Sequence, residues 1–403
     1  MTLNILAFAV PLFIVLMLLE FFYAKRNNLS FFNMHNSVAN VSVGILERLL
    51  DVLTVGIFYF FYSYIHTHFA IFEIKNTVLL WILLLIVTDF IWYWYHRLAH
   101  EWNILWAAHV VHHQSEDFNY TVSARITIFQ AVIRTGFWGV LPLLGFPPEM
   151  ISSILLVHGL YPFFIHTRTI GNLGILEYVL VTPSHHRVHH ASNEAYLDKN
   201  YGDVLIIWDK LFGTFQKEVK DQHIVYGLTK PLDSYSFLWQ HFHFWIELWL
   251  ACKKEKGFNK IKLLFARPEK IDPDLREKAE AIFRIRKKNI ELDKPLNKYV
   301  IWQMAVSLCL LFCFILFEHY LNFQAELIVS GLIIITLINA GAIMEQKQWI
   351  FYLEFSRLIL FFGGLMVVFP NTWFVITVLL SLAVLAYFIK HIKMYYLRLV
   401  YPS

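Results

Sequence analysis

Three histidine motifs lie within 95 residues of one another in a chain of 403 residues that holds 19 histidines. His96 and His100 form an H-x3-H motif, and a spacing of four places both rings on one face of a helix. Two H-x2-H-H motifs follow, in which spacings of three and four converge in the same way. Clustered imidazoles at these spacings predict a metal site. The eight motif histidines are His96, His100, His109, His112, His113, His186, His189 and His190.

The number of motif histidines indicates two metal ions. Eight imidazoles exceed what one ion coordinates, and the adjacent histidine in each H-x2-H-H motif points away from its neighbour. Imidazole suits zinc, copper, iron and nickel alike, and Cys252, Cys309 and Cys313 form no metal-type pair. An all-histidine pair of metals at a membrane surface favours oxygen chemistry on a lipid.

The elements that carry these motifs belong to a membrane protein. Hydrophobic residues make up 58% of the chain, charged residues only 16%, and the mean hydropathy is +0.52. This composition excludes a soluble globular domain, which carries about a quarter charged residues, and it also excludes intrinsic disorder. The net charge of +4 gives no indication of nucleic-acid binding. We expect an all-α integral membrane protein, a bundle of about seven to nine membrane segments with a cytosolic, histidine-rich cap that holds two metals.

Apolar runs of sufficient length mark the membrane segments, because about 20 helical residues cross the hydrocarbon core. Two shorter runs, 126–146 and 148–165, meet at a Gly-Phe-Pro-Pro turn and predict a hairpin that enters the membrane. The predicted spans are 3–23, 38–64, 77–95, 299–321, 326–344, 349–369 and 372–389.

Lysine and arginine mark the cytosolic ends of membrane spans. Lys25 and Arg26 follow the first span and Lys390 follows the last, which places the histidine motifs on the cytosolic side. The membrane would be the inner membrane of a bacterium or the endoplasmic reticulum of a eukaryote. The chain then divides into four parts: membrane helices at 1–95, a histidine-rich catalytic region at 96–250 with the hairpin 126–165, a basic cytosolic segment at 251–298, and a block of four membrane helices at 299–403.

Longer stretches around the motifs resemble a known family. The stretches are 95–97 with 100–101 at the H-x3-H motif, 106–119 and 182–190, which enclose the two H-x2-H-H motifs, and 198–202 and 208–215, which follow them. With the order of the motifs on a multi-span scaffold, they resemble the fatty acid hydroxylase/sterol desaturase superfamily of membrane di-iron enzymes. The resemblance is closest to the alkylglycerol monooxygenase branch and covers residues 92–215 in detail.

The resemblance implies a reaction and its cofactors. Two iron ions, O2 and tetrahydrobiopterin or a related reduced pterin would act on a lipid substrate in the membrane. The ether-linked carbon of an alkylglycerol would be hydroxylated, and the resulting hemiacetal would break into a fatty aldehyde and a glycerol derivative. The eight motif histidines would be iron ligands, and His166 matches the position of an additional ligand in the superfamily. No motif assigns the pterin-binding residues or the oligomeric state.

Four further residues near the motifs have more than one interpretation. Glu101 is interpreted as a catalytic residue that orients a ligand imidazole or the pterin, and a surface ion pair is the alternative. Asp89 lies in a predicted span seven residues before His96 and is either a partner of a ligand or structural. His158, on the hairpin, is a ligand or a pocket wall. His185 is a ligand, a hydrogen-bond partner of one, or exposed.

Two other functions remain open at this point. Hydroxylation or desaturation of fatty acids, sterols or other lipids needs the same metal site, because the motifs do not encode the shape of the substrate pocket. A membrane metal transporter is the alternative from another class. A transporter places its ligands near the middle of the membrane, whereas these motifs fall at the predicted cytosolic ends of the spans.

Overall fold

The structure is a computed structural model that describes residues 3–74, 77–285, 294–368 and 370–401. These residues form helices joined by loops, with isolated β-bridges from Leu180 to Leu205 and from Ala191 to Tyr226. The predicted all-helical membrane fold is confirmed. The helices are α1 (Ala9–Arg26), α2 (Met34–Phe69), α3 (Val78–Glu101), α4 (Asn103–His109), α5 (Ile128–Trp138), α6 (Val140–Leu144), α7 (Pro148–Ile165), α8 (Pro183–His189), α9 (Ile207–Phe212), α10 (Phe237–Lys254), α11 (Asn259–Leu264), α12 (Asp274–Phe283), α13 (Lys294–Leu316), α14 (Phe323–Met344), α15 (Ile350–Val368), α16 (Thr372–Tyr387) and α17 (Ile389–Val400).

Six helices among the described residues are long and apolar enough to cross a membrane, namely α1 with the turn before it, α3, α7, α13, α14 and α15. The pair α16 and α17, bent by 73°, would make a seventh. This count lies at the lower end of the predicted range. Of the predicted hairpin, α7 has the length of a span, and Ile128–Leu144 is a shorter apolar helix. The predicted second span lies in α2, which is not among the six and carries Glu47, Arg48 and Asp51 along that stretch.

The chain divides into two compact units. We call Val15–Leu232 with Gln240–Arg284 the histidine-rich unit, and Met1–Ile14, Asp233–Trp239 and Ile285–Ser403 the C-terminal unit. The four-part division made from the sequence stays a prediction, and residues 286–293 of its basic segment lie outside the described residues.

One buried face of α3 organises the core of the histidine-rich unit. Thr88, Trp92, His96 and Ala99 are buried at spacings of four and three, which is the repeat of one helical face. The core around this face is built from apolar and aromatic side chains of α2, α3, α5, α6 and α7. Its buried members include Tyr62, Leu84, Trp92, Tyr95, Trp138, Leu141, Ile151 and Ile154. His96 is therefore buried by the same packing that forms the bundle.

The turn between α6 and α7 depends on a glycine. Gly145 has a φ of 101°, and a Cβ atom at this position would lie 1.9 Å from the carbonyl oxygen of Phe72. The backbone N–H of Ile71 donates to the carbonyl of Leu143 (2.8 Å), so the end of α2 lies directly against this turn. Only glycine combines this φ with so close an approach of two backbones.

The C-terminal unit contains a partly buried carboxylate that its own helices neutralise. Glu354 accepts hydrogen bonds from the Tyr299 hydroxyl (2.6 Å), the Gln303 amide (3.0 Å) and the Asn339 amide (2.6 Å). Arg357 pairs with its other oxygen. A carboxylate among membrane helices is stable only when such partners surround it, so this network ties α13, α14 and α15 together.

Candidate metal centre

The nine histidines that we predict as ligands come together in two groups of the histidine-rich unit. In each group, one ring nitrogen from every member lies within 4.8 Å of those of the others. The first group contains His96, His100, His109, His113 and His189. The second group contains His112, His166, His186 and His190. These are the donor numbers and the donor type that a pair of transition metals needs.

Four elements position the two groups. The last turns of α3 carry His96 and His100, and His166 directly follows α7. The remaining six come from α4 with the 3-10 turn His112–Gln114 after it, and from α8 with its C-cap. These last elements have only three to seven residues each, so tertiary contacts rather than helix propensity must hold them in place.

The two groups adjoin because the neighbouring histidines of each H-x2-H-H motif belong to different groups. His112 lies in the second group and His113 in the first, while His189 lies in the first and His190 in the second. The rings of His113 and His190 stack with their centroids 4.5 Å apart. Each motif therefore contributes to both groups, and two metals bound there would lie side by side.

Hydrogen bonds fix which nitrogen faces the centre of each group. In five rings, Nδ1 lies against an oxygen atom, so that Nε2 keeps its lone pair for a metal. The Nε2 atoms in turn converge, as in His96 with His109 (3.0 Å) and His166 with His186 (2.9 Å). The five pairs are His96 with the Tyr201 carbonyl (2.7 Å), His109 with the Gln130 amide oxygen (3.2 Å), His112 with the Arg125 carbonyl (3.3 Å), His166 with the Pro162 carbonyl (2.5 Å) and His189 with the Lys199 carbonyl (2.9 Å).

Two ring nitrogens in these groups that can face a metal are buried without a protein partner. Nε2 of His100 and Nε2 of His189 make no hydrogen bond to any described residue. Buried polar atoms are almost always satisfied in folded proteins, and a bound metal would satisfy these. The residues present therefore fit a pair of metal ions.

Burial also keeps the ligands in the form that binds metal. Desolvation, assisted by the neighbouring His100, lowers the pKa of His109 from 6.5 to about 3. Desolvation likewise lowers the pKa of His166 to about 4. The same cause lowers the pKa of five further ligands well below 6.5, namely His112, His113, His186, His189 and His190. These rings are neutral at neutral pH, as metal coordination requires.

A buried arginine, absent from our sequence predictions, holds the segment that carries His112 and His113. Arg125 donates from Nε to the Val111 carbonyl (2.7 Å) and from its other nitrogens to Asn40 (2.9 Å) and Gln114 (2.6 Å). Burial lowers its pKa to about 9. The sequence did hold a signal, because Arg125 is the one charged residue in the stretch 118–133.

A second arginine that we did not predict fastens α8. Arg187 stands between two ligands of the last motif and pairs with Glu218 at 2.7 Å. It also donates to the carbonyls of Thr167 (3.0 Å) and Ile170 (2.8 Å). These bonds tie α8 to the segment that follows His166.

The other candidate residues lie outside both histidine groups. Asp89 and His158 form a third cluster with Asp203, in which His158 Nε2 is 3.1 Å from Asp89 and Nδ1 is 2.7 Å from Asp203. His185 accepts a hydrogen bond at Nδ1 from the Thr182 backbone N–H (3.3 Å) at the start of α8.

Glu101, the predicted catalytic residue, pairs with two arginines at the end of α3. Its carboxylate is 3.1 Å from Arg97 and 3.7 Å from Arg267. It is not a member of either histidine group.

Comparison with known proteins places the chain in a family. Residues 81–214, which contain every member of both histidine groups, match the fatty acid hydroxylase family. Curated relatives align along most of the chain at 32–39% identity. The chain therefore belongs to the fatty acid hydroxylase family. No solved structure matches it.

Three of these relatives are alkylglycerol monooxygenases from vertebrates. The Homo sapiens protein is 39% identical over 265 residues, which are 64% of this chain and 58% of that protein. The Xenopus tropicalis protein is 32% identical, with 81% of this chain and 74% of that protein covered. The Danio rerio protein is 32% identical, with 87% and 80% covered. The chain thus matches less than two thirds of the human protein and most of the other two.

Proposed function

We propose that this protein is a di-iron monooxygenase that hydroxylates the ether-linked carbon of alkylglycerols, with a reduced pterin as electron donor. The observation that carries the proposal is the pair of adjoining histidine groups in a chain whose relatives are alkylglycerol monooxygenases. Family membership supports the broader statement, an oxygen-dependent lipid hydroxylase, over a metal transporter.

The position of the ligands within the spans also supports an enzyme. His96 lies five residues before the end of α3, about 8 Å along the helix, and His166 directly follows α7. Two spans therefore end at the centre, and neither carries a ligand near its middle. This arrangement suits a substrate whose polar head lies at the membrane surface and whose alkyl chain lies along the spans.

The protein's part in the reaction is to hold and shield the reacting groups. Iron held by the two groups would supply the activation of O2 and the removal of hydrogen from the substrate. The buried rings keep their nitrogens oriented through the hydrogen bonds from Nδ1 and exclude water from the centre. We infer from the distribution of lysine and arginine that the centre lies on the cytosolic side of the membrane, where a pterin would reach it from solution.

The proposed reaction balances in atoms and electrons. One atom of O2 enters the C–H bond next to the ether oxygen, the other leaves as water, and the pterin supplies two electrons with two protons from solvent. The hydroxylated ether is a hemiacetal. It expels the glycerol oxygen without further oxidation and leaves a fatty aldehyde.

The test uses the purified, full-length chain prepared with ample iron. We expect about two irons per chain, and fatty aldehyde that forms in step with pterin oxidation when alkylglycerol and O2 are present. An acylglycerol of the same chain length is the matched control and should not be consumed, because its carbonyl carbon carries no C–H bond. One metal per chain or none would contradict the two-metal assignment.

The same assay distinguishes the closest alternative. A stable alcohol formed from a free fatty acid or a sterol, with no aldehyde from any glyceryl ether, would favour the general lipid hydroxylase. Aldehyde that forms with another reductant but not with the pterin would support the substrate assignment and exclude the pterin as the electron donor.

A further inference from the structure

The segment 200–209 aims a carbonyl group at a ligand of the first histidine group. The carbonyl of Tyr201 lies 2.7 Å from Nδ1 of His96. This contact keeps the proton on Nδ1 and so leaves Nε2 for the metal. Residues 200–202 and 208–209 of this segment belong to the stretches that resemble the family. Neither the set of metal ligands nor the proposed reaction gives the segment a function.

A buried carboxylate shapes the first half of this segment. Asp209 is fully buried, and its two oxygens accept the backbone N–H groups of Tyr201 (2.7 Å) and Gly202 (2.8 Å). The hydroxyl of Thr214 also donates to it, at 2.6 Å. Asp209 thus holds the peptide units on either side of the residue whose carbonyl reaches His96.

A second buried carboxylate holds the other half of the segment to α3. Asp89 accepts hydrogen bonds from the backbone N–H groups of Val204 (2.9 Å) and Leu205 (3.0 Å) and from the indole of Trp208 (3.0 Å). Nε2 of His158 also lies 3.1 Å from the Asp89 carboxylate. Asp89 lies on the same helix as His96, so α3 holds the segment and the segment in turn orients the ligand on α3.

The packing around Gly202 leaves no room for a side chain at this position. A Cβ atom there would lie 2.6 Å from the carbonyl oxygen of Leu205, 3.0 Å from the Asp209 carboxylate and 3.1 Å from Val181. Any side chain would therefore displace the backbone next to Tyr201.

We propose that Asp89 and Asp209 are positioning residues of the first histidine group: together they fix the backbone of segment 200–209, and through the Tyr201 carbonyl they orient the ring of His96. The inference rests on the proposed metal centre and adds two carboxylates that bind no metal themselves. Loss of such an outer hydrogen bond typically weakens metal binding by about 10- to 100-fold. We expect that loss in the first group and none in the second.

The experiment measures metal binding rather than turnover. In a His186→Ala background, which removes a ligand of the second group, Co2+ is titrated into the metal-stripped, full-length protein and followed by its visible absorption. Asp209→Asn in this background should raise the Kd for Co2+ by about 10- to 100-fold. Glu247→Gln is the matched control, because Glu247 is also buried but pairs with His243 and Arg276, away from the segment.

A second pair of variants changes no charge. Gly202→Ala should weaken Co2+ binding as Asp209→Asn does, since it displaces the same backbone. Gly171→Ala should leave binding unchanged, because a Cβ atom at Gly171 meets nothing within 4 Å. If Asp209→Asn does not fold, the comparison of Gly202→Ala with Gly171→Ala tests the proposal by itself.

Each outcome bears on one of the two claims. Equal Co2+ affinity in Asp209→Asn, Gly202→Ala and both controls would overturn the positioning role while leaving the metal centre intact. Equal weakening in the Asp209 and Glu247 variants would also overturn it, because loss of any buried carboxylate would then suffice. A parent protein that binds no metal would overturn the proposed function itself.

Discussion

Five of the predicted ligand imidazoles hold Nδ1 against a protein oxygen and leave Nε2 for a metal. In His189, for example, Nδ1 lies against the Lys199 carbonyl, while Nε2 is buried without any protein partner in the described chain. A ring held in this way costs little to order when a metal binds, because its orientation is already set. The same arrangement makes each ring hard to replace, because no other side chain offers a nitrogen with a free lone pair at neutral pH.

Loss of a single ligand should abolish the reaction without removing the protein from the membrane. In His190→Ala the second group keeps only three imidazoles. We expect activity to fall by more than about 100-fold, beyond the effect of losing an outer partner. Iron content and aldehyde formation are measured on protein extracted from the membrane. His223→Ala is the control, because His223 is exposed and belongs to neither group. Full activity in His190→Ala would exclude His190 as a ligand.

The proposed role of Glu101 has a direct test. Glu101→Gln removes the charge and keeps the shape, so the ion pairs with Arg97 and Arg267 are lost. If Glu101 orients the pterin or a ligand ring, aldehyde formation should fall about 10-fold while both irons are retained. Glu277→Gln breaks a comparable exposed ion pair, with Lys230, and serves as the control. Equal activity in the two variants would leave Glu101 with an ion-pair role only.

The sequence predicts which histidines the structure brings together, but it does not predict the groups that orient their rings. His109, His112 and His113 lie within five residues, so the local spacing alone indicates that their rings gather around metals. The carbonyls of Tyr201 and Lys199 reach rings that are distant in the chain, and a main-chain acceptor leaves no residue type for a pattern to detect. The position of Asp89 on the helix of His96, and that of His158 on the hairpin, predict that both lie near the ligands, and only the fold reveals Asp203 as a further member of their cluster.

At the scale of the elements, the helical turn at Gly145 should be the most sensitive point of the hairpin. Gly145→Ala forces a Cβ atom against the Phe72 carbonyl at a positive φ, and we expect a loss of about 1–3 kcal/mol or more in stability. The measurement is the thermal unfolding midpoint of the detergent-solubilised protein. Gly159→Ala in α7 is the control and should not lower the midpoint, because its Cβ atom would meet nothing within 4 Å. Equal midpoints in the two variants would contradict the role of this turn.

Long apolar helices could be predicted from the sequence, and short ones could not. Runs such as α3 and α14 are identified by length and hydropathy alone. Helix α8, which carries His186 and His189, and helix α9, which carries Asp209, have seven and six residues and no repeating apolar pattern. Buried contacts determine their structure, and those contacts come from residues far away in the chain.

At the scale of the whole molecule, the metal-free protein should lose stability as the pH falls. The pKa values of His109 and His166 lie at about 3 and about 4 in the folded protein, against 6.5 in the unfolded chain. Below pH 6.5 the unfolded chain therefore binds more protons than the folded one. The contribution of these neutral rings to the free energy of unfolding is fully present above that pH and is lost on further acidification. The thermal unfolding midpoint of the metal-stripped protein should therefore decrease as the pH is lowered from about 7 to about 5.

Bound metal should oppose this loss, because it binds only the neutral rings. Protein loaded with iron should keep its midpoint to a lower pH than stripped protein. His166→Gln should reduce the pH dependence of the stripped form, since it removes one buried titrating group. A midpoint that is independent of pH in the stripped protein would contradict the burial of neutral imidazoles.

Most of the acceptors that orient the ligand rings belong to the main chain. Four of the five described for Nδ1 are carbonyls, those of Tyr201, Arg125, Pro162 and Lys199, and only Gln130 supplies a side chain. A point mutation exchanges side chains and leaves the peptide carbonyl in place. Most single-codon changes at those positions therefore leave the orientation of four rings unchanged. A mutation alters it only when it changes the path of the backbone. At Gln130 one nucleotide change is enough.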